Sequence, residues 1–90
     1  MHVRKLIWSD RVIDKLAQKH HVSPEEVGEV CYGKHHVRKG PDDIYYVYGQ
    51  TYDGRYLLVV MAHKGQGRFK VITARDMDRS EKRFYGRTKR

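Results

Sequence analysis

Arg68-Phe69-Lys70-Val71-Ile72-Thr73-Ala74-Arg75 reads as a strand, and it runs without a break into Asp76-Met77-Asp78-Arg79-Ser80-Glu81-Lys82-Arg83-Phe84-Tyr85, which reads as a short basic helix. Strict alternation puts Arg68, Lys70, Ile72 and Ala74 on one face of the strand, and Phe69, Val71, Thr73 and Arg75 on the other. Phe69 and Val71 are core residues by type, so Arg68 and Lys70 face solvent as a basic pair. Asp78-Arg79-Ser80-Glu81 fits a capping box with Glu81 at the third helical position. Met77, Glu81 and Phe84 then share a helix face, which brings Glu81 to the core edge near Arg75. Positions 79–90 hold six Lys/Arg against one acid. A strand ending in arginine and feeding a cationic helix is suited to holding a polyanion.

Upstream, two more strands precede this unit. Residues 44–50 are rich in Tyr and Val, and residues 55–63 contain Leu57-Leu58-Val59-Val60-Met61, a central strand buried on both faces. Asp53-Gly54 marks a hairpin and Gly65-Gln66-Gly67 a second turn. Turns this short allow only an antiparallel meander. Residues 34–43, with Gly40-Pro41, read as a polar, basic loop.

The N-terminal third reads as helical. Residues 3–7 allow a short edge strand. Ser9 is an N-cap, Trp8 can staple onto Ile13, and Val12, Ile13, Leu16 and Ala17 form one apolar stripe that ends near His20 or His21. Ser23-Pro24-Glu25-Glu26 is a capping box with proline at the first helical position. Val27, Val30 and Cys31 make its buried stripe and Gly33 stops it. The order is β-α-α-β-β-β-α. The fold class is α+β, a small antiparallel sheet packed against two N-terminal helices and a short C-terminal helix. Ninety residues make a single domain, 1–90, with 86–90 as a basic tail.

The net charge of +8 is unevenly placed: residues 1–33 balance five cations with five acids, and residues 34–90 hold fourteen against six. Basicity confined to one part is the footprint of a nucleic acid or another anion. No apolar run reaches the length of a membrane helix, and the first eight residues lack the apolar core of a signal peptide. A lone cysteine, Cys31, excludes an internal disulfide framework and fits a cytoplasmic protein.

Several side chains have the chemistry for RNA cleavage. Arg75 at the strand end can hold a phosphate or pair with an acid such as Asp78; Glu81 can cap its helix or act as a base. His63 ends the apolar strand and can serve as acid or base near neutral pH. Tyr85 can pack the last helix or donate a proton. Tyr45, Tyr46, Tyr48, Tyr52 and Tyr56 suit a half-buried sheet face and can also stack on bases. His20-His21 and His35-His36 are adjacent pairs whose side chains point apart, so no zinc site and no cofactor are expected.

Taken in order, these pieces resemble the BrnT family, ribonuclease toxins of type II toxin–antitoxin systems with a RelE-like fold. The matching residues are Trp8-Ser9-Asp10, then Lys19-His20-His21-Val22-Ser23-Pro24-Glu25-Glu26-Val27, then Gly54-Arg55-Tyr56-Leu57-Leu58-Val59-Val60, and last Ile72-Thr73-Ala74-Arg75 followed by Glu81 and Tyr85. The chain departs where His21 replaces the usual glycine, where Met61-Ala62-His63 replaces a Tyr-Thr, where Asp76 follows Arg75, and in the basic stretch 34–39. The resemblance implies a cytoplasmic, metal-independent endoribonuclease that inhibits translation. Its partners would be RNA and a cognate antitoxin carrying a DNA-binding domain. Arg75, Glu81, His63 and Tyr85 would form the catalytic set, and Arg68, Lys70, Arg79, Lys82 and Arg83 would bind RNA.

Two other readings remain open. Residues 13–30 have a helix-turn-helix outline, but the second helix carries Glu25, Glu26 and Glu29 and no cation, so DNA phosphates would repel it. The same fold without activity would be a nucleic-acid- or antitoxin-binding module.

Overall fold

The apolar run falls in β4 (Tyr56–His63), the middle strand of a five-stranded sheet, in a computed structural model that describes residues 1–88. The others are β1 (Lys5–Ile7), β2 (His35–Lys39), β3 (Ile44–Gln50) and β5 (Arg68–Asp76), in spatial order β1-β5-β4-β3-β2. Strands β2 to β5 form an antiparallel meander, and β1 lies parallel against β5 over Arg68 to Lys70. Among the described residues no helix is long and apolar enough to cross a membrane.

The α+β class holds, with one strand more than the sequence pattern predicts. Residues 35–39, within the stretch read as a loop, are β2. Only Val37 among them is apolar. The segment is ordered by the open edge of β3, whose backbone groups it pairs from His35↔Gly49 to Lys39↔Tyr45. Shortness and cationic side chains are how edge strands avoid further pairing.

Helix α1 (Asp10–Lys15) is capped by Ser9, whose Oγ accepts from the Val12 N–H at 3.2 Å. It continues as a π-helical turn, Leu16–His20, and stops at His21 with φ 53°, in the left-handed region. The π turn shifts the phase of the apolar stripe, so Leu16 is buried but Ala17 is exposed. Helix α2 (Pro24–Tyr32) starts on the expected capping box, with Ser23 and Glu26 bonded reciprocally. Its Val27, Val30 and Cys31 are buried against Leu57, Val59 and Met61 of β4 and Phe69 and Val71 of β5. At Gly49 a Cβ would stand 2.7 Å from Val30 Cγ1, so α2 comes this close to β3 because that position has no side chain.

Helix α3 (Arg79–Thr88) lies on the opposite face of the sheet. Met77 and Tyr85 pack there against Tyr48 and Leu58, with Phe84 and Tyr56 at the margin. The helix runs three residues beyond Tyr85, through Gly86 to Thr88, into the stretch read as a basic tail; Lys89 and Arg90 lie outside the described residues. Because α3 is short, it covers only one end of this face. The burial of β4 on both faces is accordingly limited to one half: Leu57, Leu58 and Val59 are buried, while Val60 and Ala62 are half-buried.

A bulge in β5 changes which residues share a face. Val60 pairs with Thr73 and Met61 with Val71, which leaves Ile72 without a cross-strand partner. One inserted residue inverts the alternation beyond it. Ala74 is therefore buried with Phe69 and Val71, and Arg75 joins Lys70 on the open face. Strict alternation placed Ala74 and Arg75 the other way round.

Arg55 ties the two helical turns to the end of β5. Its guanidinium donates to Asp76 Oδ1 at 2.7 Å and Oδ2 at 3.2 Å, to the carbonyls of His20 and His21 at 2.7 and 2.6 Å, and to Glu26 at 3.2 Å. One side chain thus satisfies carbonyls at the end of the π turn and both flanking acids.

Candidate functional site

Where α3 stops covering the sheet, a groove of about 310 Å³ opens over β2, β3, β4 and β5, lined by Arg38, Lys39, Tyr46, Tyr48, Leu58, Arg75 and Glu81. The register explains the grouping. Tyr48, Leu58 and Arg75 are cross-strand neighbours, and so are Arg38, Tyr46 and Val60 in the next row.

Arg75 and Glu81 form a bidentate pair in this groove. Arg75 Nη1 meets Glu81 Oε1 at 2.8 Å and Nη2 meets Oε2 at 2.9 Å. The same Oε1 accepts the Asp78 backbone N–H at 2.8 Å, while Asp78 Oδ1 accepts the Glu81 N–H at 2.8 Å. Glu81 is therefore at once the capping-box residue and the partner of Arg75. The sequence sets capping against a role as base for Glu81, and names Asp78 as a possible partner for Arg75. In the structure Asp78 caps the helix instead, and the Glu81 carboxylate both caps and pairs with Arg75.

The electrostatics follow. Hydrogen bonding to Arg75 holds the Glu81 carboxyl below its ordinary range, against the opposing effect of burial. The same bond raises Arg75. The pair is ionised at neutral pH, and both carboxylate oxygens already accept bonds. Such a carboxylate is a poor proton acceptor but a good anchor for an arginine. The Arg75 side chain keeps 41% of its surface exposed, so its charge is presented to the groove.

Cations and rings complete the surface. The Arg38 guanidinium lies 5.1 Å from the centre of the Phe84 ring, and Lys82 Nζ lies 5.9 Å from that of Tyr56. Phe84 also meets Tyr48 and His36 edge-on.

The other sequence candidates separate. His63 pairs in register with Phe69, on the face covered by α1 and α2, and sits between Phe69 and Tyr45. Five residues separate it from Leu58, an odd number, so it points away from Arg75. Tyr85 is 4% exposed, packed against Tyr56, and burial raises its hydroxyl pKa. Arg68 curls back onto the carbonyls of Gly65 and Lys64. Lys70 is on the open face at the far end from α3, and Arg79, Lys82 and Arg83 are exposed on α3. Arg38 and Lys39 were missed because their segment reads as a loop; alternation of His36 and Arg38 about Val37 was the available signal. Among the described residues no three His, Cys, Asp or Glu side chains gather as a metal site. Cys31 is buried beside Met61, and desolvation pushes its thiol up to about 12, which makes it unreactive.

No protein-family model matches the sequence, and no curated protein matches it. A solved structure does match: the Brucella abortus ribonuclease toxin BrnT, with a TM-score of 0.70 and 17% identity, over 83% of this chain and 97% of that one. The chain has a BrnT-like fold.

Proposed function

We propose that this chain is an RNA-cleaving toxin: a metal-independent endoribonuclease that inhibits translation and is held off by a cognate antitoxin bearing a DNA-binding domain. The observation that carries the reading is the Arg75–Glu81 pair, exposed in a groove of cations and tyrosines on a toxin-like fold. Cleavage by the 2′-hydroxyl builds negative charge on a five-coordinate phosphorus, and fixed positive groups stabilise that charge. Arg75 is the phosphate ligand. Glu81 is a positioning residue that fixes its fork. Arg38 approaches from the other side of the groove and half-buried Tyr46 offers a phenol for stacking or proton donation, while Tyr48 is buried beneath and the Lys39 ammonium lies over Tyr45 on the opposite face. Lys70, Arg79, Lys82 and Arg83 extend the positive field along the backbone of the RNA, with Arg68 at the far turn. His63 and Tyr85 have no direct part in this arrangement, because one faces the other side of the sheet and the other, on α3 itself, packs against Tyr56 and does not line the groove.

One observation favours a non-catalytic module. Both oxygens of the one carboxylate in the groove are occupied, so the groove has a phosphate ligand without an evident base. The deciding experiment is purified protein with total RNA in EDTA, with and without ribosomes, beside Arg75→Ala. Loss of cleavage by about 10² to 10³ in the folded variant supports the toxin reading. A folded Arg75→Ala protein that cuts as fast as the parent overturns it. RNA binding without cleavage by the parent establishes the binding module.

A further inference from the structure

A second groove, of about 470 Å³, is lined by residues of α1, β4 and β5 around the bulge. Four cations wall it: Arg11 and Lys15 from successive turns of α1, Lys64 from the end of β4, and Lys70 from β5. Among the described residues none of the four has an acidic partner in an ion pair. The two acids of α1, Asp10 and Asp14, do not line it. Val12, Ala62, Val71 and Ile72 line it with apolar side chains. Ile72 is the bulge residue, and it is 37% exposed although large and apolar. Bulges re-aim side chains, and this one presents an isoleucine to a groove that four cations also line.

We infer that this groove docks an acidic, amphipathic segment of a partner protein, with an apolar side chain seated on Ile72 and carboxylates against Arg11, Lys15, Lys64 and Lys70. Charge complementarity selects the occupant: unpaired cations take acids, and the apolar lining takes an aliphatic side chain. RNA fits less well, since the groove has no aromatic ring on which a base could stack. No residue of the Arg75 groove lines this one, and Lys70 alone is shared with the RNA surface of the ribonuclease reading.

The test is a titration of the isotope-labelled full chain, followed by backbone amide shifts, with two probes. One is a short synthetic peptide with leucines along one helical face and glutamates along the other. The second is a uridine oligonucleotide with 2′-deoxy substitution, which cannot be cut by 2′-hydroxyl attack. The peptide is expected to shift the amides of Arg11, Lys15, Lys64 and Ile72 and to leave those of Arg75 and Glu81 in place. Its affinity should fall at least about tenfold in the double variant Arg11→Glu/Lys15→Glu, and again in Ile72→Ser. Two variants on separate elements keep the test decisive if one does not fold. Absent peptide binding, peptide shifts centred on Arg38 and Arg75, or affinity indifferent to both variants overturns the inference. So does an oligonucleotide that fills this groove and displaces the peptide.

Discussion

Replacing Glu81 by glutamine and by alanine separates its two roles. Glutamine can still accept the Asp78 N–H, because capping boxes use Glu or Gln at the third position. Alanine cannot. In the structure alanine removes one backbone bond of 2.8 Å and both contacts to Arg75. The lost cap is worth about 1 kcal/mol. The ion pair adds only about 0.5 kcal/mol, because Arg75 is 41% exposed and water screens the attraction. Glu81→Ala should therefore lose about 1.5 kcal/mol and lower Tm by roughly 6–12 °C in a domain of this size, whereas Glu81→Gln should lose about 0.5 kcal/mol. The pH dependence has a definite sign. The Glu81 carboxyl is lowered in the folded state, so its contribution is complete above the ordinary glutamate range. Its ionic part is lost as the pH falls from about 5 through that range and below it. The difference between parent and Glu81→Ala should shrink in acid toward the cap's share of about 1 kcal/mol, a bond which a neutral side chain here still makes, as glutamine does. In RNA cleavage, a positioning role predicts a loss of about 10- to 100-fold in both variants with the shape of the pH–rate profile unchanged. Thermal melts across pH and initial rates on a fluorogenic RNA measure both. The reasoning is refuted if the parent shows an acidic limb between about pH 5 and 7 that disappears in Glu81→Gln, since that marks Glu81 as the general base.

Other predictions concern the frame that holds the site. Arg55→Ala should cost about 2–4 kcal/mol, because it strands the His20 and His21 carbonyls and leaves Asp76 and Glu26 unpaired. Urea unfolding checks it, and a loss under about 1 kcal/mol would show the hub to be solvated decoration. His21→Gly should stabilise the fold by about 0.5–1 kcal/mol, since φ 53° strains a residue with a Cβ, offset by the greater freedom of glycine when unfolded. An unchanged or lower midpoint in the same assay counts against that balance.

What was legible in the sequence was local. Ser9, the capping box at Ser23, and the Asp53-Gly54 turn act over three or four residues, so their partners are fixed by chain proximity. The apolar run of β4 announces a central strand for the same reason, since its own side chains specify the burial. Arg75 and Glu81 were also within reach, being six residues apart across a strand-to-helix corner. Arg38, Tyr46 and Tyr48 were not, because their sharing a groove with Arg75 depends on the order and register of four strands.

The two instructive differences share a cause. Residues 35–39 become a strand through the edge of β3, a neighbour that no local propensity describes. The bulge at Ile72 arises from how β5 pairs with β4, and a shift of one residue sends Arg75 to the opposite face from Phe69. On strict alternation Phe69 and Arg75 share a face, which would put His63, the register partner of Phe69, on the same face as Arg75. The bulge separates them and gives Arg75 to Glu81. By itself the sequence determined the elements other than β2, the caps, the turns and the excess of positive charge, because these follow from short-range sterics and composition. Tertiary structure alone decided which face carries the arginine, because period-two geometry makes that choice hang on a single residue of register.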